Sequence, residues 1–78
     1  MSIKEIKEAI EDEKVIYGIN QTLKKGKKLK RIFIAKDSRD STVEKLDEAE
    51  LEFDVLKSKS DLAKELNLDF YTEVISIQ

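Results

Sequence analysis

Apolar positions recur along the chain with two alternating periods, and the alternation lays out eight elements. Ile3, Ile6 and Ile10 are spaced for one face of a helix with Ala9 beside them, while Lys4, Glu5, Lys7, Glu8 and Glu11 take the outer face. Ser2-Ile3-Lys4-Glu5 fits a capping box at its start. In the short apolar run from Val15, Ile16 and Tyr17 form a brief strand, Gly18 permits a sharp turn or a close backbone approach, and Ile19 and Leu23 lie four apart on the next helix. Arg31-Ile32-Phe33-Ile34-Ala35 is a near-continuous apolar run of strand formers, the pattern of a strand buried on both faces. After the loop Lys36-Asp37-Ser38-Arg39-Asp40, a second capping box at Ser41-Thr42-Val43-Glu44 opens a helix that turns Val43, Leu46 and Ala49 inward.

Leu51, Phe53 and Val55 alternate with Glu52 and Asp54, as expected of an edge strand with one buried and one polar face. Ser58-Lys59-Ser60-Asp61 starts a last helix with Leu62, Ala63 and Leu66 inward and Asn67 as a left-handed stop. Leu68-Asp69-Phe70 reads as a loop, and residues 71–77 as a closing strand with Val74, Ile75 and Ile77 partly buried on both faces. The order α-β-α-β-α-β-α-β predicts an α/β fold, a three-layer α-β-α sandwich around a four-stranded mixed sheet.

At 78 residues the chain is expected to form one domain, residues 1–78. A domain of that size buries only about 60% of its unfolded surface, so nearly every large apolar side chain is needed in the core. A composition 40% hydrophobic and 41% charged suits a small, highly charged globule. No apolar run approaches the roughly 18 residues of a membrane span and no secretory h-region opens the chain, so a cytoplasmic protein without membrane contact is expected. Cysteine and histidine are both absent. That removes disulfides, thiolate chemistry, and the commonest metal ligand and general base, and argues against an enzyme, a cofactor or a small-molecule substrate. Glu11-Asp12-Glu13 reads as a solvated helix end rather than a metal site. An enzymatic alternative would pair Asp37 with Asp40 in the loop after a central strand.

The charge pattern changes the picture most. Between Lys24 and Arg31, six of eight positions are cationic, namely Lys24, Lys25, Lys27, Lys28, Lys30 and Arg31. With those six removed, the formal net charge of −2 becomes −8. A surface so polarised steers an anionic partner despite a sequence pI of about 5.2. Seven acids and one lysine fill residues 40–54, a stretch expected to face away from any phosphate backbone. Just ahead of the basic run, Asn20, Gln21 and Lys24 project from the first turns of a helix, beside backbone N–H groups that lack intrahelical partners. Spacing alone leaves two readings open there. The helix start meets a phosphate or a base edge, or Asn20 only caps the helix while Gln21 and Lys24 are solvated.

Gly18, Asn20, Gln21 and Lys24 fill the pattern G-x-[NK]-[EQ]-x-x-K, and with the basic run and Ile32-Phe33-Ile34-Ala35-Lys36-Asp37 the chain resembles the ribosomal L-seven-Ae / L-thirty-e family, especially its short bacterial members. The resemblance implies a small binder of kink-turn RNA, a monomer when free, with structured RNA as partner and ribosomal RNA among the candidates. It assigns Asn20 and Gln21 to exposed guanine edges, with Gly18 allowing close backbone approach, and Lys24, Lys25, Lys27, Lys28 and Arg31 to phosphates. Leu68, Asp69 and Phe70 take the place of the family's second contact element, an aliphatic, an acid and an aliphatic, with Leu68 and Phe70 covering a splayed-out base. The chain departs from the family where Gly26 interrupts the second helix, where Asp40 replaces a frequent proline, and where bulky Tyr71 and Thr72 replace small residues. A protein-interaction module of the same fold without RNA affinity is the alternative.

Overall fold

The sheet is built on two strands that the sequence marks as largely apolar, Arg31–Ile34 and Val74–Ile77. A computed structural model describes residues 2–78, with side chains from Ile3 onward. Its elements run α1 (Ser2–Glu11), β1 (Val15–Tyr17), α2 (Ile19–Lys25), β2 (Arg31–Ile34), α3 (Asp40–Glu48), β3 (Asp54–Val55), α4 (Lys59–Leu66) and β4 (Val74–Ile77), with one 3₁₀ turn at Gly26–Lys28. Strand order is β1-β4-β2-β3, so β4 and β2 are central. β4 pairs antiparallel with both neighbours (Tyr17↔Ile75, Ile34↔Val74), whereas β3 joins β2 in parallel (Phe33↔Asp54). The expected α/β sandwich with a mixed four-stranded sheet is the fold observed.

Alternation along the central strands divides the core between two faces. Phe33, Ala35, Ile75 and Ile77 meet Ile6 and Ala9 of α1 and Leu62 and Leu66 of α4. On the other face Ile32, Ile34 and Val74 meet Leu46 of α3 and Leu51, with Ile19 and Leu23 of α2 packed against them. Helices on both faces explain why neither β2 nor β4 shows polar alternation.

Three helices end in the same motif, and none uses glycine. Glu13, Glu50 and Asn67 adopt φ of 57°, 57° and 58°. In each case the following N–H reaches back to close the helix: Lys14 to Ala9 O at 2.9 Å, Leu51 to Leu46 O at 3.0 Å and Leu68 to Ala63 O at 2.8 Å. Asn67 is the stop expected from sequence. The starts differ more. Ser58 caps α4, its hydroxyl accepting from the Asp61 N–H at 3.3 Å, as predicted. The Ser2/Glu5 capping box involves a side chain outside the described residues. The box at Ser41-Thr42-Val43-Glu44 does not form: with Ser41 as cap the helix would start at Thr42, whereas α3 begins two residues earlier, at Asp40, with no side-chain cap of its own. Glu73 substitutes from another loop, accepting from the Arg39 N–H at 2.6 Å and the Thr42 hydroxyl at 3.3 Å.

Three other expectations need correction. Ala49 is exposed at the end of α3 rather than turned inward. The edge strand shrinks to Asp54–Val55, because Leu51 is drawn back to α3 by the helix-closing bond. The closing strand begins at Val74 rather than Tyr71, since β1 has turned away at Gly18 and residues 71–73 form a loop.

Candidate nucleic-acid interface

Gly18 organises one end of the sheet. It has φ 93° and ψ 156°, a backbone region that side chains other than hydrogen rarely occupy. A Cβ at this position would meet nothing within 4 Å, so conformation rather than space demands glycine, and the surface above it is open to approach. Its N–H donates to Val74 O at 2.9 Å, which fixes the turn to the central strand. Its carbonyl accepts from the Thr22 N–H at 3.2 Å and from Thr22 Oγ1 at 2.9 Å. Thr22 Oγ1 in turn lies 2.6 Å from Ser76 Oγ, and both residues are fully buried. A hydroxyl has one proton to give, so Thr22 donates to Gly18 O and Ser76 donates to Thr22. The helix start is thereby tied to β4 by a buried hydroxyl pair.

Gly18, not Asn20, occupies the N-cap position, and no side-chain cap is made there. Asn20 and Gln21 are both exposed on the first turn of α2. They line a concavity of about 420 Å³ with Gly18, Arg39, Tyr71 and Thr72. Lys24 and Lys25 are exposed in the last turn of the same helix. Lys24 follows Asn20 by four residues and so shares its face, about 6 Å along the axis.

The opposite wall is held rigidly. Ala35 N–H donates to Glu73 O at 2.9 Å, and the single Ser38 hydroxyl proton is shared between Ala35 O at 2.7 Å and Glu73 O at 3.3 Å. Arg39 Nε donates to Glu73 Oε2 at 2.9 Å. Burial pushes the Glu73 carboxyl up, but the Arg39 N–H, the charge and side chain of Arg39 and the Thr42 hydroxyl outweigh it and hold the group below its ordinary value. This wall presents Tyr71, 70% exposed. Phe70 is less available, since its ring meets Tyr17 edge to face, with centroids 5.0 Å apart and planes at 87°. Burial raises the Tyr17 phenol above its usual range.

The remaining expected residues divide. Leu68 is half-buried and packs on the α1/α4 core, so it supports the loop from beneath rather than facing the concavity. Asp69 is exposed beside it. Lys27 and Lys28 lie in the 3₁₀ turn beyond α2, and Lys27 Nζ is 4.0 Å from Glu50 Oε2. Arg31 lies at the opposite end of the sheet, where it pairs with Ile77. Its guanidinium bridges Glu5, at 3.2 Å, and Asp54, and it stacks over Phe33. Part of the acidic stretch thus lies against the basic run. Its second half neutralises the end of that run.

Arg39 and Glu73 were not singled out by sequence, and Tyr71 only as a departure from the family. A lone cation between Asp37 and Asp40, directly ahead of a helix, is the signal that marks Arg39. Asp37 and Asp40 have structural surroundings: Asp37 accepts from the Lys59 N–H at 3.0 Å, and Asp40 opens α3.

No family model matches the sequence, and no curated protein sequence matches it at a significant level. Among solved structures, the 15.5kD RNA binding protein of Giardia lamblia is similar with a TM-score of 0.74 at 20% identity, covering 96% of this chain and 68% of that one. A protein of unknown function from Bacillus halodurans C is similar with a TM-score of 0.78 at 14% identity, covering 96% of this chain and 81% of that one. At such identities the likeness establishes a shared fold, a mixed four-stranded sheet between two helical layers.

Proposed function

We propose that this chain binds RNA and recognises the kink-turn, without a chemical step. The observation that carries the reading is the gathering of Gly18, Asn20 and Gln21 in one concavity facing Arg39 and Tyr71. Support comes from the motif Gly18-x-Asn20-Gln21-x-x-Lys24 and from a structural neighbour whose name describes an RNA binding protein. In a kink-turn, sheared G·A pairs beside a bulge expose base edges that a regular A-form helix hides. The Asn20 and Gln21 amides offer donors and acceptors to those edges, and the open surface above Gly18 lets RNA approach the backbone. Lys24 and Lys25 meet phosphates crowded at the bend. Tyr71 offers a face for an unstacked base, an interaction worth roughly 1–3 kcal/mol. The protein prefers the kinked conformer and so shifts the RNA population toward it.

Titration with a kink-turn RNA and with a control whose G·A pairs are replaced by Watson–Crick pairs tests this. Tighter binding to the kinked RNA is expected, and equal affinities refute the reading. Asn20→Ala should cost about 1–3 kcal/mol on the kinked RNA and little on the control. The alternative, a protein-interaction module, is favoured by one observation: Lys27 and Arg31 are paired with acids, which leaves less positive surface than the sequence promises. A partner retained after ribonuclease treatment, with no RNA affinity, would support it.

A further inference from the structure

The basic run leads away from the concavity. It begins one helical turn from Asn20 and ends at Arg31, at the far end of the sheet beside Ile77. Seven residues of α2 span about 10 Å before the 3₁₀ turn carries the chain further from the concavity. Among the described residues, the acids that meet it do so from Lys27 onward. Glu50 lies beside Lys27, Glu52 lines a hollow of about 520 Å³ with Lys30 and Arg31, and Asp54 and Glu5 bind Arg31. Among the described residues Lys24, Lys25, Lys28 and Lys30 make no ion pair, and what distinguishes Lys30 is that it shares two hollows with Glu52. Glu50 occupies the left-handed position that ends α3, and with Glu52 it lines a hollow shared with Lys27 and Lys30.

We propose that Glu50 and Glu52 are an electrostatic screen that withdraws Lys27 and Lys30 from phosphate, and so limits the RNA footprint to the Asn20/Lys24 end. The inference rests on the RNA-binding reading and names its ligand class more narrowly, as a compact bent element whose flanking duplex is not gripped. The basic run would otherwise hold any duplex laid along α2 and the 3₁₀ turn, which would raise sequence-independent affinity and erode discrimination.

The test uses one kink-turn carried on a short stem and on a stem extended by one helical turn, with the full chain as wild type, as Glu50→Gln/Glu52→Gln and as the control Glu8→Gln/Asp12→Asn. The control removes the same charge from exposed positions on or just beyond α1, in the opposite helical layer. For wild type and control, stem length should change affinity less than twofold. For Glu50→Gln/Glu52→Gln, the longer stem should bind about tenfold more tightly at low salt, with a salt slope steeper by about one per lysine released. Stem-dependent affinity in the wild type overturns the proposal. So does a rise of the same size in the control, which would make net charge the cause. Thermal unfolding of each variant shows that the fold is retained. Loss of discrimination between kinked and control RNA in the wild type would instead sink the RNA reading itself, so the two failures are distinguishable.

Discussion

The buried hydroxyl pair under α2 makes the sharpest stability prediction. Thr22 and Ser76 are both at 0% exposure, with oxygens 2.6 Å apart, and Thr22 also donates to Gly18 O. Thr22→Val preserves shape but leaves the Ser76 hydroxyl buried without its acceptor, at a cost of about 1–3 kcal/mol. Ser76→Ala removes one bond while Thr22 keeps its bond to Gly18, so the loss should be near 1 kcal/mol. With both changed, no orphaned hydroxyl remains, and Gly18 O still accepts from the Thr22 N–H at 3.2 Å. The double variant should therefore be more stable than the sum of the two losses predicts, by about 1 kcal/mol or more. Urea denaturation of the four proteins measures this, provided the m value is constant across the set. Additivity within about 0.3–0.5 kcal/mol would refute the pair as a coupled unit.

Three other perturbations follow from the same geometry. Glu73→Gln should cost about 1 kcal/mol at neutral pH, since most of the Arg39 side chain is exposed and its ion pair is screened. The folded Glu73 carboxyl lies below its ordinary value of 4.5, so its contribution is complete above that pH and is lost as pH falls further. Stability measured by urea from pH 7 to pH 3 should then fall more steeply in wild type than in Glu73→Gln, and parallel curves would contradict the assignment. Glu13→Gly relieves a left-handed residue at the end of α1 and should raise the unfolding midpoint, with a gain of about 0.5–1 kcal/mol. Gly18→Ala meets no steric obstacle, so its loss should reflect backbone strain alone, about 1–3 kcal/mol in the same assay. A neutral result would mean that the turn relaxes to negative φ.

What the sequence revealed and what it hid separate along a physical line. Periodicity is a local property, and it located the helices and the two apolar central strands because β2 and β4 are covered on both faces. Ser58 and Asn67 were legible because their side chains act on their own helix ends. The start of α3 was not, because its cap comes from Glu73, 34 residues further on. Glu13 and Glu50 at positive φ were hidden because nothing about glutamate favours that conformation, and the helix-closing bonds impose it. The candidate site divides the same way. Gly18, Asn20, Gln21 and Lys24 belong to one turn and its helix, so a linear motif describes them. The wall of Arg39 and Tyr71 exists only once β2 and β4 are adjacent.

The basic run shows why linear charge counts mislead in a domain of this size. Eight consecutive residues look like one patch in the sequence, yet they comprise the end of a helix, a 3₁₀ turn and the start of a strand. The first residue lies one helical turn from Asn20 and the last pairs with Ile77, and each takes its electrostatic surroundings from whatever the fold sets beside it. At the Lys24 end that neighbour is the polar first turn of α2; at the Arg31 end it is Glu5, Asp54 and the loop carrying Glu50 and Glu52. A net charge of −2 is thus compatible with a local attraction for phosphate, since interactions between exposed charges fade beyond about 8–10 Å at physiological salt. What governs an anionic partner is the field within one such distance of Asn20. Acids more than a Debye length away act on that field weakly, while those beside Lys27 and Lys30 decide how far along the molecule it extends.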